Sequence, residues 1–265
     1  MRPPTLILPR LLESRGAAIE GMLAPCYDLE PASGEGAPHG DGTRIFGEPL
    51  LGHLGDWPRN PEGEPMLFVG QCRLEHLPAG PPELRQLLPE AGVLSLFWDV
   101  NHPAAGGETE DRYRFRVLWT PEAAGCRRLP PPPGAPSLAV PSFSLAARVR
   151  WRLPAEGDAA FQLGALDERE HAAYSRLCAA IAPDCEHRLL GPPDWLEADA
   201  RPLCVEATRS LWRSEPSDWR LLWQIGAVDE LCGALGGDFR LYVMIRDEDL
   251  RAARFLRAWV VMQGL

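Results

Sequence analysis

The sequence contains an internal repeat, which limits the possible folds more than any other feature. A Leu-Leu-Gly motif at residues 50–52 is followed by Asp-Trp at residues 56–57. The same two motifs recur in the same order at residues 189–191 and 194–195. A single shared dipeptide would be a coincidence, but an ordered series of motifs indicates that one supersecondary unit has been duplicated.

The shared order continues beyond these motifs. Each copy is followed by an apolar segment that contains a glutamine, Gln71 in the first copy and Gln224 in the second, and then by another apolar segment. We therefore predict two related halves, at about residues 45–120 and 185–265. The proline-rich stretch 129–136 between them is typical of an extended connector. All 265 residues are expected to form a single domain.

Most apolar segments are typical of β-strands. Residues 112–119 alternate strictly, with Phe115 and Val117 on one face and Arg114 and Arg116 on the other, as in an antiparallel strand with one solvated face. Short apolar runs bounded by Gly or Pro, and a weaker alternation at 145–153, predict further strands at 66–72, 93–98, 145–153, 219–225, 239–245 and 258–263.

Helices are expected to be few and short. Asp167 followed by Glu170 forms a capping box and predicts a helix that continues to Ala180. The 25 glycines and 28 prolines also favour short elements joined by turns. The predicted fold class is α+β, a mostly antiparallel sheet made of two internally duplicated halves, with short peripheral helices. The shorter helices are predicted at residues 11–23, 203–212 and 248–255.

The composition excludes several kinds of catalytic and binding site. The chain has 27 basic residues, all of them arginine, and 37 acidic residues, so its net charge is −10. Without lysine it cannot form a P-loop, a lysine Schiff base or a Ser–Lys dyad. Its acidity disfavours nucleic acid as a partner, because that partner requires a basic surface.

The sequence also favours a cytoplasmic location. The N-terminal segment is interrupted by Pro3, Pro4 and Pro9 and does not resemble a signal peptide. No apolar run approaches the roughly 18 residues that span a membrane, so no membrane partner is expected. The 7 cysteines show no paired spacing, which favours reduced thiols over a disulfide framework.

The C-terminal half carries the clearest resemblance to a known family. Residues 221–225 (Leu-Leu-Trp-Gln-Ile), the apolar segment 239–245, the acidic-Leu turn 248–250 and the segment 259–263, which ends in glutamine, resemble the closing pattern of the YwqG-like family. The resemblance covers roughly residues 45–265. Further matching segments lie at 57–58, 67–71, 88–89, 92–97 and 191–195.

This resemblance implies a fold and a kind of partner, but no reaction. YwqG-like proteins have long been classed as a domain of unknown function, and the matching residues are mainly Gly, Pro, Trp and aliphatic. Some members resemble immunity proteins, which act as antitoxins against polymorphic toxins released by secretion systems in bacterial competition. The resemblance therefore implies a toxin inhibitor that works by protein–protein interaction. One motif departs from the family pattern, because residues 51–55 replace its usual Gly-Gly-x-Pro turn.

Two groups of polar residues have the side chains of a metal or catalytic site. Asp99, Asn101 and His102 follow a predicted strand, where they form either a ligand set or a polar turn. The second group consists of Cys178, Cys185, His187 and Cys204. It lacks the close cysteine pairs of a structural zinc site. Because no hydrolase or metalloprotease motif is present, we expect no enzyme activity, no metal and no cofactor.

The remaining candidates are residues that would bind a protein partner. Tryptophan is a common anchor of protein interfaces, although half-buried packing is its more frequent role. The acidic loop 108–111 is either a solvated tip or, in an inhibitor of a nuclease, a substitute for phosphate groups. We predict that a cognate toxin, with a nuclease preferred, is bound by Glu108, Glu110, Asp111, Asp194, Trp195, Asp199, Trp212 and Trp219.

A second class of function stays open at this point. A small-ligand-binding protein or an enzyme would have its site between the two halves, in a deep pocket lined by His53, Asp99, His102 and tryptophans. A shallow acidic surface would instead favour the protein partner. The oligomeric state is not predicted by the sequence.

Overall fold

The computed structural model describes residues 2–32, 42–52, 57–122, 125–136, 142–226 and 238–264. Three of the residues considered above, His53, Asp56 and Cys232, lie outside this part of the chain. The strands in the described part are β1 (Ala24–Pro31), β2 (Arg44–Ile45), β3 (Leu50–Leu51), β4 (Leu67–Arg73), β5 (Val93–Trp98), β6 (Phe115–Thr120), β7 (Arg127–Arg128), β8 (Phe143–Arg152), β9 (His187–Leu189), β10 (Trp219–Ile225), β11 (Phe239–Arg246) and β12 (Trp259–Gly264).

Ten of these strands form one antiparallel sheet in which the two halves of the chain contribute equivalent strands on either side of a central pair. The order is β12-β11-β10-β9-β1-β8-β2-β4-β5-β6, and β3 pairs with β7 in a separate ribbon. The long strands β1 and β8 pair at the centre. Outward from them, β9 to β12 on one side match β2, β4, β5 and β6 on the other. The predicted α+β class with a mostly antiparallel sheet is confirmed.

The strand register matches in the two halves as well. Gln71 of β4 pairs with Arg44, and Gln224 of β10 pairs with Arg188. Each outer pairing also contains one irregularity just before its glutamine, between residues 68 and 70 in β4 and between residues 221 and 223 in β10. The two glutamines therefore hold equivalent positions in the sheet.

The backbone turns correct the alignment of the Leu-Leu-Gly motifs. Phe46 and Gly47 have φ values of 55° and 82°, and Leu190 and Gly191 have φ values of 60° and 74°. Both pairs directly follow the short inner strands β2 and β9. Gly191 therefore corresponds to Gly47, and the motif at residues 50–52 is not its counterpart. A Cβ atom at Gly191 would lie 2.6 Å from the Cβ of Cys26, so the turn has no room for a side chain.

The sheet curls until its two outer edges face each other. The rings of Phe115 in β6 and Trp259 in β12 are 5.4 Å apart, with an edge-to-face geometry. Trp98 of β5 packs on Phe239 of β11 with tilted rings whose centres are 5.8 Å apart. The backbone N–H of Met262 donates to the carbonyl of residue 105, so a loop that follows β5 covers part of the β12 edge. The main core fills the space between the two halves.

The helices are short and lie at the periphery, with one longer exception. Asp167 accepts hydrogen bonds from two backbone N–H groups and completes the predicted capping box with Glu170. Tyr174 and Leu177 of this helix are buried against a second, smaller core. The helices are α1 (Gly16–Met22), α2 (Pro82–Arg85), α3 (Glu168–Ile181), α4 (Arg201–Thr208) and α5 (Asp247–Arg251). No helix among the described residues is long and apolar enough to span a membrane.

The predicted strand at residues 112–119 begins later than expected. A 3-10 helix, Thr109–Tyr113, precedes β6, and Glu108 caps it together with Asp111. Phe115 and Val117 are buried as predicted, but Tyr113 lies outside the strand and is 40% exposed. The alternating arginines predicted a strand from residue 112 onward. The carboxylates of Glu108 and Asp111 instead stabilise a 3-10 helix there, so the strand begins only after that helix.

Candidate functional site

A groove lies where the two outer edges of the sheet approach each other. It is lined by residues 112–113 and 115–117 on the β6 side and by residues 211–212 and 256–259 on the β12 side, with a volume of about 280 Å³. We call this the edge groove. Its floor consists of the buried side chains of Phe115, Val117 and Trp259.

Large apolar side chains surround the floor at the surface. Leu256 is 72% exposed and Tyr113 is 40% exposed. Trp212 is half-buried beside them, and the guanidinium carbon of Arg246 lies 4.7 Å from the centre of its ring. Because exposed large hydrophobic side chains are few among the described residues, their grouping here marks a surface that is suited to contact with another molecule.

Two arginines beside this apolar surface lack a carboxylate partner. Arg116 donates to the carbonyls of Arg112 and Phe115, at 2.8 and 2.7 Å, and burial lowers its pKa. Arg112 donates to the hydroxyl of Tyr113 and lies 4.5 Å from the centre of that ring. No Asp or Glu in the described part of the chain forms an ion pair with either guanidinium. The edge groove therefore carries uncompensated positive charge.

One N–H donor on each side of the edge groove is buried without an acceptor among the described residues. Within the described residues, neither Nε of Arg112 nor Nε1 of Trp212 has a hydrogen-bond partner. A buried donor without an acceptor costs about 1–3 kcal/mol, so most such groups in folded proteins are paired. Both donors are therefore available to an acceptor that enters the edge groove.

The acidic loop forms a structured rim next to the edge groove. Asp111 accepts hydrogen bonds from the backbone N–H groups of Gly106 (2.9 Å) and Glu108 (3.2 Å), so its charge is used within the loop. The Thr109 hydroxyl donates to the carbonyl of Ala207 at the end of α4 (2.6 Å), which fixes the loop beside the segment that leads to Trp212. Glu108 and Glu110 remain exposed.

The structure thus brings four of the eight predicted partner-binding residues together. Glu108, Glu110 and Asp111 lie on the rim, and Trp212 lies in the adjacent wall. Sequence analysis did not find Arg112, Arg116 or Leu256 as site residues. The one available signal was the run of arginines at 112, 114 and 116, which an alternating strand explained as a solvated face.

The other predicted acidic residues are engaged in internal ion pairs. Asp194 accepts from the fully buried Arg188 at 2.6 Å. Burial tends to raise the pKa of Asp194, but the charge of Arg188 outweighs this effect and the pKa is lowered. Asp199 lies 2.6 Å from Arg201, which also contacts the buried Asp158. These carboxylates are therefore part of the fold.

The two tryptophans near them are also part of internal packing. Trp195 donates to Asp158 at 2.8 Å, and its ring lies 4.8 Å from that of Tyr242. Trp219 is only 2% exposed at the start of β10. Its indole N–H donates to the hydroxyl of Ser214. Trp219 is therefore a core residue and not the surface anchor that its position near a predicted turn suggested.

One cluster of potential metal ligands lies within the described residues. Carboxylate and imidazole atoms of Glu62, Asp99 and His102 lie within 4.8 Å of one another. Arg114 lies among them, 2.9 Å from Asp99, and also pairs with Glu62. Because this guanidinium already pairs with both carboxylates, the cluster is better suited to joining two loops than to binding a cation. It contains two of the three polar residues noted after β5, while Asn101 donates to Asp99 through its backbone.

A larger pocket lies between the two halves. Leu84 and Leu87 of the first half form one side, and Trp219 and Leu221 of the second half form the other, around a volume of about 410 Å³. We call this the interhalf pocket. Arg220 lines it, and the Nε of this side chain is buried without an acceptor among the described residues. The pocket lies where a ligand site was expected, but Asp99 and His102 do not line it.

Comparison with known proteins assigns the chain to a family. A family model described as "Domain of unknown function (DUF1963)" matches residues 43–264. The chain belongs to this family. The match covers both halves, all residues that line the edge groove and most of those that line the interhalf pocket. No curated protein matches the chain.

Proposed function

We propose that this DUF1963 protein is a non-catalytic, protein-binding module that acts in the cytoplasm as the immunity protein of a secreted antibacterial toxin. The observation that carries this proposal is the edge groove, where Tyr113, Trp212 and Leu256 lie beside arginines without carboxylate partners. Aromatic residues and arginine dominate the binding energy of protein interfaces. Their concentration on one face supports a protein partner.

The assignment to the YwqG-like branch belongs to this proposal. The resemblance in residues 221–225 and 239–263 supports it, and DUF1963 is likewise a family of unknown function. The preference for a nuclease toxin depends on carboxylates that remain free to meet a basic cleft. Glu110 meets this condition, since it is exposed, whereas Glu108, Asp111, Asp194 and Asp199 are held by internal bonds.

Co-expression with each candidate toxin from the neighbouring genes tests the proposal. The wild-type chain should restore growth and co-purify with the toxin. Leu256→Asp should abolish both effects, because it places a charge on the exposed apolar rim of the edge groove. Ile7→Asp is the matched control, since Ile7 is 91% exposed and its neighbours pack on a different core. Equal killing with and without the wild-type chain, and no recovered complex, would refute the immunity role.

The interhalf pocket supports a second candidate, a small-ligand-binding function. Its volume of about 410 Å³ is within the range of small-molecule sites, and its apolar walls meet a polar group at Arg220. Native mass spectrometry of protein purified from its own host tests this candidate directly. A ligand-binding protein should carry a bound mass that is lost in Arg220→Met and retained in Arg148→Met, where the arginine lies on the central strand β8.

A further inference from the structure

We infer that the edge groove recognises a carboxylate next to a bulky apolar side chain, presented by an acidic-apolar segment of the protein partner. This inference rests on the proposed function, because it takes the edge groove as the partner's contact surface. It goes further by naming the chemistry of the partner and the residues that would read it: Arg112, Arg116 and Trp212.

The charges around the edge groove favour an anion. Arg112 and Arg116 form no ion pair with a carboxylate of the described chain. On the opposite wall, Arg257 shares the single carboxylate of Asp249 with two further arginines, Arg246 and Arg254. Glu248 contacts these last two arginines but is 64% exposed, where solvent screens its charge. Both walls therefore have more positive than negative charge.

The hydrogen-bond donors in the two walls favour a carboxylate over a neutral group. Among the described residues, the Nε of Arg112 and the indole N–H of Trp212 have no acceptor, and the two arginines otherwise meet only neutral oxygens, those of backbone carbonyls and of Tyr113. An ionised carboxylate accepts several hydrogen bonds at once, and arginine binds it with two parallel N–H groups. Such charge-assisted bonds are about twice as strong as neutral ones.

The floor of the edge groove explains why the anion must carry an apolar neighbour. Phe115, Val117 and Trp259 are buried and form an apolar surface, and Leu256 stands above it at the rim. A side chain that enters the groove would cover this surface and exclude water from the arginines, which strengthens their bonds to the carboxylate. The volume of about 280 Å³ accommodates one large side chain and the adjacent acidic group.

The nearby rim carboxylates do not cancel this preference. Glu108 and Glu110 belong to the same turn as Arg112, but no ion pair among the described residues joins them to Arg112 or Arg116. The side chain of Glu108 caps the 3-10 helix, because it accepts a hydrogen bond from a backbone N–H group of that turn. A partner with an acidic-apolar segment would meet the arginines first, and its basic groups would meet the two glutamates.

Two capped dipeptides test the inference with the full chain and without any toxin. The probes are acetyl-aspartyl-phenylalanine amide and acetyl-asparaginyl-phenylalanine amide, titrated into isotope-labelled protein and followed by NMR chemical shifts. The aspartyl probe should bind roughly tenfold more tightly, the ratio expected for about 1.4 kcal/mol of charge-assisted bonding. The preference should disappear in Arg112→Met and in Arg116→Met. It should persist in Arg148→Met, where the exposed arginine pairs with Glu30.

A third probe and the NMR spectra identify the outcomes that would overturn the inference. Acetyl-aspartyl-alanine amide should bind more weakly than the phenylalanine probe, because it leaves the apolar floor uncovered. Equal affinity for the aspartyl and asparaginyl probes, or a preference that survives in both arginine variants, would exclude carboxylate recognition. Failure here leaves the co-expression result for the immunity role unaffected. Failure of co-expression with an intact aspartyl preference would reject the immunity role alone.

Discussion

Gln71 and Gln224 make the same pair of side-chain hydrogen bonds in the two halves of the sheet. The Oε1 of Gln71 accepts from the backbone N–H of Leu50, and the Oε1 of Gln224 accepts from that of Asp194, both at 2.9 Å. Each side-chain amide donates to a backbone carbonyl two residues before the paired arginine, at 3.0 and 3.3 Å. The two glutamines thus fasten equivalent connecting segments to the sheet.

Replacing either glutamine should cost a similar amount of stability. Gln71→Ala leaves a buried N–H and a buried carbonyl without partners, and Gln224→Ala leaves a partly buried N–H and carbonyl without partners. Each change also creates a cavity at a fully buried side chain, so we expect each to lower the free energy of unfolding by about 2–4 kcal/mol. Urea unfolding measures this change. Gln162→Ala, at an exposed position, should alter it by less than about 0.5 kcal/mol. A cost below about 1 kcal/mol at either buried site would contradict the structural role.

Strand β1 offers a direct comparison of a buried and an exposed carboxylate. Asp28 is fully buried and accepts from Arg152 (2.6 Å) and Arg188 (3.2 Å). Glu30, two residues later, also pairs with two arginines but is partly exposed. Asp28→Asn should destabilise the chain by about 3–5 kcal/mol, because it leaves the buried guanidinium of Arg152 without its counter-charge and that of Arg188 with Asp194 alone. Glu30→Gln should cost less than about 1 kcal/mol. Thermal unfolding of both variants decides whether burial has this effect.

The same strand shows which part of the fold the sequence does not reveal. Strand β10 was predicted with its observed bounds because five of its seven residues are apolar and a glycine follows it directly. Strand β1 lies at the centre of the sheet, yet its eight residues include Pro25, Asp28 and Pro31, which are atypical of a central strand. Asp28 is tolerated at the centre of the sheet because Arg152 and Arg188, which are distant in sequence, neutralise its charge. Such compensation depends on tertiary contacts and leaves no local pattern.

The edge groove could be predicted only in part for a similar reason. The aromatic and acidic residues on its rim are visible as residue types, and Trp212 was selected on that basis. The groove itself exists because residues 256–259 pack against β6, more than a hundred positions earlier in the chain. The absence of carboxylate partners for Arg112 and Arg116 likewise follows from spatial arrangement.

The buried imidazole of His187 predicts a loss of stability in mild acid. Burial lowers the pKa of His187 from 6.5 to about 4, and its Nδ1 accepts from the backbone N–H of Gly226 at 3.3 Å. Because the pKa is lower in the folded chain, the unfolded chain binds more protons between about pH 6.5 and pH 4. The stabilisation is therefore fully present above pH 6.5 and decreases as the pH falls.

Unfolding free energies at pH 7 and pH 5 measure this effect. The wild-type chain should lose about 2 kcal/mol more than His187→Gln over this interval, since the variant lacks the titrating ring. His76→Gln should follow the wild type, because His76 is exposed. Parallel pH profiles for the wild type and His187→Gln would show that the ring does not contribute.

The exposed glutamate on the rim should influence how fast a toxin is bound. Under the proposed immunity function, Glu110→Lys should slow association several-fold at low salt, because an exposed rim charge acts mainly through long-range steering. Dissociation should change much less, since it depends on the apolar contacts of the edge groove. Stopped-flow association at two salt concentrations measures both effects. Glu90→Lys, an exposed site with the same charge change, controls for net charge. If Glu110→Lys and Glu90→Lys slow association equally, the rim has no specific role in steering the toxin. A large change in the dissociation rate of Glu110→Lys would instead show that Glu110 lies inside the contact surface.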